Sequence, residues 1–192
     1  LLQRPGRGVA ALGESPSGLQ ARLAAHYEAI DHLFNGRFGM AIETLAPYVE
    51  EGRQRSITGN LLNLDMHLAK VFSCGSSWHN GEVVDECADY LDKVGAKGLM
   101  GYVWAARLVG EALSGEPPRT VSALRSKATK SGDQMVRALS LVAECLCLLR
   151  KRPSAYVLAA VNTAETTCKS IGWTYAERVA GIIKQVTKYQ LG

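Results

Sequence analysis

The chain has 192 residues, of which 47% are hydrophobic and 21% are charged, and its formal net charge is +4 at pH 7. This composition is typical of a soluble globular protein, and the length is sufficient for one domain with a substantial core. The sequence also argues against a membrane-spanning protein, because no apolar run in it reaches the roughly 18 residues of a transmembrane helix.

The charge is distributed unevenly along the chain. Residues 1–118 contain ten Lys or Arg and fourteen Asp or Glu, whereas residues 119–192 contain twelve and four, so the two parts carry −4 and +8. A basic part can face an acidic partner or nucleic acid. Because this part lacks the alternation of aromatic and basic residues that favours nucleic-acid binding, we expect a solvated basic surface and no direct nucleic-acid contact.

The cysteines and the N-terminus bear on the cellular compartment. Five cysteines with apolar neighbours and no framework spacing predict buried free thiols in a reducing cytoplasm. They are Cys74, Cys87, Cys145, Cys147 and Cys168. The chain begins Leu-Leu, and no apolar segment follows its first arginines, so we expect no signal peptide and interpret the sequence as a fragment of a longer protein.

Taken in order, the sequence predicts a short arm followed by helices only. Residues 1–17 are rich in Gly and Pro and predict a flexible linker, so the folded domain is expected at 18–192. Every periodic segment fits 3.6 residues and none fits two, which predicts an all-α fold. The nine predicted helices cover about residues 18–35, 38–51, 57–72, 82–94, 99–114, 121–128, 134–151, 153–170 and 173–189.

Local signals refine three of these helices. Ser56 is the expected N-cap of the third helix, because its side chain can accept a bond from a free amide of the first turn. Pro47 lies inside the second helix and predicts a kink or an early end there. The fifth helix contains Gly101 and Gly110, so close packing is needed to hold it.

The clearest pattern lies at the first turn. Asn35-Gly36 can adopt the positive φ that ends a helix. The apolar residues that follow recur at i, i+3, i+4, i+7, i+8 and i+11, which defines one face of a helix. They are Phe38, Ala41, Ile42, Leu45, Ala46 and Val49. The pattern predicts two helices packed as a hairpin, with Ala41 at their contact.

The succession of Gly36, Phe38 and Ala41 resembles the signature of a tetratricopeptide (TPR) repeat. Turns recur near Asn35, Ser76, Gly115 and Pro153, a spacing of roughly 40 residues that is somewhat longer than the ~34 of that family. The resemblance implies stacked antiparallel helical hairpins that form a right-handed superhelix of about nine helices.

A narrower resemblance covers about residues 30–108. The Ala46-Pro47-Tyr48 element and the Gly52-Arg53-Gln54-Arg55 turn are similar to the TPR-like region of MalT-type, large LuxR-type bacterial transcription activators. This implies a ligand- or partner-binding sensor domain of a larger transcriptional regulator. Neither a P-loop nor a LuxR-type helix-turn-helix occurs in the sequence, so an ATPase and a DNA-binding domain would lie outside it. The alternative is a general TPR scaffold that captures a peptide or a partner helix.

In TPR folds the first helix of each hairpin lines the concave surface, which implies that polar residues on these helices bind the ligand or partner. Trp104, Arg107 and Glu111 also share one helical face at i, i+3 and i+7, a combination suited to a peptide, sugar or carboxylate, although Trp104 as a core residue is the alternative. The predicted binding residues are His26, Asn63, His67, Trp104, Arg107, Glu111 and Glu144.

No group of residues in the sequence predicts a catalytic or metal-binding site. The four histidines lack metal-ligand spacing, and no nucleophile with its base is recognisable. We therefore expect no enzymatic activity, no metal and no cofactor. The expected partner is a protein or a small-molecule effector, without membrane contact, and an oligomer is possible.

Overall fold

The computed structural model of the chain describes residues 16–49, 56–75, 81–115, 123, 126–127, 130, 132–148 and 154–191. Within this part of the chain all regular structure is helical and no strand occurs, which confirms the predicted all-α class. Eight α-helices are described, and a short 3-10 helix, Lys97–Leu99, precedes the fifth. The α-helices are α1 (Pro16–Phe34), α2 (Phe38–Leu45), α3 (Ile57–Cys74), α4 (Gly81–Lys93), α5 (Met100–Ser114), α6 (Gln134–Leu148), α7 (Ala155–Ser170) and α8 (Thr174–Leu191).

The helix ends follow local chemistry. Ser56 Oγ accepts a hydrogen bond from the Gly59 amide at 3.0 Å, which confirms the predicted cap of α3. Ser154 caps α7 in the same way, so this helix begins at Ala155 rather than at the predicted residue 153. Helix α2 ends at Leu45, so the early end predicted from Pro47 is confirmed, and the extension to residue 51 is wrong.

Helix α1 begins at Pro16, two residues before the expected start of the folded domain, and the remainder of the predicted arm lies outside the described residues. The apolar face predicted for the sixth helix, formed by Val121, Leu124 and Ala128, also lies outside the described residues.

Consecutive helices pack as neighbours in a repeat-like order. Contacts join α1 with α2, α3 with α4, and α7 with α8. A second series runs from α1 to α3, α5, α6 and α8, each helix of this series touching the next. Helix α8 also contacts α1, so the last described helix packs on the first. A right-handed TPR-like superhelix stays a prediction.

Aromatic side chains pack together where the first three helices meet the start of α8. The Trp173 ring stacks on Phe34 with ring centroids 5.5 Å apart, and it meets Phe72 edge-on at 6.1 Å. Phe38 stacks on Phe72 and meets Tyr175 edge-on at 4.8 Å. These rings, called the aromatic junction below, connect the α1–α2 turn and the end of α3 with the start of α8.

The predicted burial of the cysteines is confirmed for four of the five residues. Cys87, Cys145, Cys147 and Cys168 are buried and form no disulfide, whereas Cys74 is exposed at the end of α3, so its predicted burial is wrong. Burial, reinforced by the nearby carboxylates of Glu86 and Glu177 respectively, raises the pKa of Cys87 and of Cys168 to about 12. These two thiols are therefore protonated at neutral pH and are poor nucleophiles.

None of the helices that the structure describes is long and apolar enough to cross a membrane.

Candidate functional site

Asp65 is the centre of a polar cluster that crosses three helices. Its carboxylate is completely buried in α3. The Oδ2 atom lies 2.6 Å from Nδ1 of His26 on α1, and Oδ1 accepts a hydrogen bond of 2.5 Å from the Tyr102 hydroxyl on α5. Because α1, α3 and α5 pack against one another in succession, one side chain ties together three members of the series.

The sequence around Asp65 explains why a carboxylate lies inside the protein. Helix α3 is hydrophobic over much of its circumference, and it contacts α1, α2, α4 and α5. The residues on both sides of Asp65 are buried with it, namely Leu64 and Met66. A charged group at this position has no route to water and must find partners among neighbouring helices.

Burial and charge shift the three titratable groups of the cluster. Burial raises the pKa of the Asp65 carboxyl, and the hydrogen bonds from His26 and Tyr102 offset only part of this effect. Burial alone would lower the pKa of His26, but the hydrogen bond and charge of Asp65 outweigh it and raise the value. Burial, followed by the charge of Asp65, places the pKa of Tyr102 well above its ordinary range. The cluster therefore holds its protons more firmly than the same groups would in water.

His26 is the member of the cluster that solvent reaches. Its side chain is 18% exposed, and the ring of Tyr27, itself an exposed residue, lies 5.2 Å away. One turn earlier on the same face of α1, Arg22 Nη1 donates to Ser56 Oγ at 3.4 Å. The side chains of Arg22 and His26 thus lie one turn apart on α1, an arrangement that suits an anionic or hydrogen-bond-accepting group.

The structure places the predicted binding residues of α1, α3 and α6 in different surroundings. His26 joins the Asp65 cluster. Asn63 is partly exposed on α3, whereas His67 is completely buried. Glu144 is also buried, and its Oε1 accepts a hydrogen bond of 3.2 Å from the Tyr156 hydroxyl of α7. In this conformation the His67 side chain is inaccessible to a ligand.

The predicted binding residues of α5 contact side chains outside the Asp65 cluster. Arg107 forms an ion pair with Asp85 on α4, and Lys127 Nζ lies 4.4 Å from the centre of the Trp104 ring. Glu111 is partly buried. Tyr102 and Arg107 are five residues apart, so they point roughly 140° away from each other around the helix. The Trp104–Arg107 face and the Asp65 cluster are therefore on different sides of α5.

Asp65 and Tyr102 are absent from the predicted set. One signal in the sequence was available for Asp65, since it is the only acidic residue among the residues of α3. A single carboxylate in a helix that is apolar on most sides indicates a specific partner. Tyr102 carries no comparable signal, because a tyrosine on an amphipathic helix is equally compatible with ordinary core packing.

The described side chains include no group of three or more His, Cys, Asp or Glu that could hold a metal ion. Fold and site together define an all-α protein whose consecutive helices pack as neighbours, with a His–Asp–Tyr cluster that joins its first, third and fifth described helices. Comparisons of the chain with protein-family models, with curated proteins and with solved structures find no match.

Proposed function

We propose that this chain is a non-catalytic binding domain that takes a small-molecule effector or a protein partner on the surface around His26. The observation that carries the proposal is Asp65, a completely buried carboxylate whose two oxygens are bonded to His26 and Tyr102. Removing a carboxylate from water costs several kcal/mol, and well-packed apolar residues would often serve stability as well or better. The arrangement fixes the position of the His26 imidazole, which solvent reaches, and raises its pKa.

The chemistry of this surface indicates the ligand class. An imidazole whose pKa is raised by Asp65 is a good donor to a carboxylate or a phosphate, and Arg22 lies on the same face of α1. The exposed Tyr27 ring beside His26 adds apolar area for a larger molecule. We therefore expect an anionic effector, and an acidic peptide is the second candidate.

The resemblance of residues 30–108 to MalT-type activators supports a sensor role within a bacterial transcriptional regulator. In such a protein the ligand on the helical domain would control domains outside this sequence. A general TPR scaffold is the alternative, and Tyr27 is the feature that favours it, because exposed aromatic residues anchor peptides.

A thermal-shift screen of anionic metabolites, sugars and acidic peptides tests the proposal. A ligand of this site raises the melting temperature of the parent protein and has a much smaller effect on His26→Gln. Glu43→Gln is the matched control, because Glu43 is exposed on α2, outside the cluster. The proposal fails if no compound stabilises the protein, or if His26→Gln responds like the parent.

Arg107→Ala distinguishes the two predicted surfaces. Arg107 is engaged by Asp85, so we expect this variant to bind the ligand with unchanged affinity. If Arg107→Ala loses binding while His26→Gln keeps it, the ligand belongs on the face of α5 that Trp104 and Arg107 share.

A further inference from the structure

Helix α8 has two apolar faces, and among the described residues only one of them packs against other helices. Its inner face packs on α6 and α7 and includes Ala180 and Ile183, which are almost completely buried. A second row, called the outer stripe, is formed by Ile182, Val186 and Tyr189, which are 66%, 43% and 90% exposed. We propose that the outer stripe binds an acidic amphipathic helix of another protein.

The spacing of the outer stripe favours a helical partner. Its residues lie at i, i+4 and i+7, which aligns them along one narrow seam of α8. The inner face is fixed to α6 and α7, so the helix presents this seam in a constant orientation. A seam of three apolar side chains on a rigid helix matches the groove-and-ridge contact that a second helix makes.

The charge around the stripe indicates the sign of the partner. Residues 178–192 contain Arg178, Lys184 and Lys188 and no Asp or Glu. Lys184 is paired with Glu165 of α7 at 2.7 Å, whereas Arg178 and Lys188 are exposed. A partner helix with carboxylates beside its apolar residues would therefore gain attraction along this seam, and a basic helix would be repelled.

A second copy of the chain fits this surface poorly. Two α8 helices facing each other would bring their basic side chains together. Helix α4 is acidic on its exposed side, with Glu82, Glu86 and Asp89, but its buried residues Val84 and Leu91 belong to the core. It therefore offers charge without an apolar ridge. A lipid surface would require a wide apolar face, whereas the inner half of α8 is covered.

A synthetic amphipathic peptide of about three heptads tests the inference, with Leu at its core positions and Glu at the flanking positions. A matched peptide carries Lys in place of Glu. We expect the acidic peptide to bind the full chain, the basic peptide to bind at least tenfold more weakly, and added salt to reduce the difference. Fluorescence anisotropy of the labelled peptides measures both affinities.

Two variants locate the contact. Ile182→Asp and Tyr189→Ser change exposed side chains, and each should weaken acidic-peptide binding about tenfold or more without altering the circular dichroism spectrum. Met40→Asp, at an exposed apolar residue of α2, is the control and should bind like the parent.

Several results would overturn the inference: no binding by the acidic peptide, equal binding by both peptides, or unchanged affinity in both stripe variants. Binding to phosphatidylserine vesicles without peptide binding, lost in Ile182→Asp, would assign the stripe to a lipid surface instead. Concentration-dependent sedimentation of the parent that Ile182→Asp abolishes would assign it to self-association.

Discussion

Gly36 lies against the ring of Tyr175 so closely that a Cβ at this position would be 2.7 Å from Tyr175 Cδ2 and 3.2 Å from Cγ. The contact joins the α1–α2 turn to the first turn of α8. Gly36 also has φ of +71°, a conformation that other residues adopt only with strain. Both requirements, for space and for backbone conformation, select glycine.

Replacing Gly36 with Ala should therefore be costly. The left-handed backbone costs about 1–2 kcal/mol, and overpacking against Tyr175 adds about 1–3 kcal/mol. Gly95→Ala is the matched control, because Gly95 has φ of +74° with no neighbouring atom within 4 Å of its Cβ position. Urea denaturation measures both losses. Equal losses in the two variants would show that Tyr175 gives way without cost.

Trp173 should be the most sensitive residue of the aromatic junction. Trp173→Ala removes a ring that is 1% exposed and should cost about 3–5 kcal/mol. The indole Nε1 has no hydrogen-bond partner among the described residues, so Trp173→Phe loses volume but no hydrogen bond and should cost much less. Trp173 lies far from α1 and α2 in the sequence but stacks on Phe34 at the end of α1. Hydrogen exchange should therefore show reduced protection of α1 and α2 in Trp173→Ala. Protection unchanged in α1 and α2 would contradict the role of the junction.

The hydrogen bond from Tyr102 to Asp65 should contribute measurably to stability. Tyr102→Phe leaves a buried carboxylate oxygen without this donor and should cost about 1–3 kcal/mol. In an Asp65→Asn background the same change should cost less, because the charge is gone, and a double-mutant cycle measures the difference. Tyr189→Phe, at a 90% exposed tyrosine, should have no effect. Additive losses in the cycle would show that the two side chains are uncoupled.

The His26–Asp65 pair should make stability depend on pH. Because the pKa of His26 is raised above its ordinary value of 6.5, the folded protein keeps a proton that the unfolded chain releases. The associated stabilisation is complete below about pH 6.5 and is lost as pH rises through the folded pKa. The raised pKa of Asp65 acts in the same direction, favouring the folded state at lower pH.

We therefore expect the unfolding free energy of the parent to fall, relative to that of His26→Gln, as pH increases from about 6 to 8. Denaturant titrations of both proteins across this range measure the difference. Parallel curves would mean that His26 titrates alike in the folded and unfolded states.

The ion pair between Arg107 and Asp85 should contribute little. The two side chains are 25% and 57% exposed, and exposed pairs are worth about 0–1 kcal/mol. Asp85→Asn should therefore shift the melting temperature only slightly, and less in high salt than in low salt. A large, salt-independent loss would indicate that the Asp85 side chain also serves as a structural hydrogen-bond acceptor.

The features that the sequence predicts correctly are determined locally. Ser56 caps α3 because its hydroxyl needs to reach only three residues along the chain, and Pro47 ends α2 because the proline lacks an amide hydrogen. The periodicity that places Ala41 on a buried face is likewise a property of one helix. These signals define where the helices lie in the sequence, but they do not predict which helix faces pack against each other.

The parts that the sequence does not predict depend on contacts between distant helices. His26, Asp65 and Tyr102 come from three helices, and no spacing in the sequence indicates that they converge. The helical spacing puts Arg107 on one face of α5 together with Trp104, yet its ion pair with Asp85 depends on how α4 lies beside α5. Trp173 shows the same limit, since its apolar character predicts burial but not the identity of Phe34 as its neighbour.

The aromatic junction has a consequence for how the chain folds during synthesis. A ribosome releases Phe34 and Phe38 more than a hundred residues before Trp173 and Tyr175, so the first hairpin emerges without the rings that cover it. Linear repeat proteins grow by adding units to a folded neighbour. Here the α1–α2 hairpin gains its aromatic partners only after Trp173 and Tyr175 have been synthesised, and the closing of that long loop should slow folding.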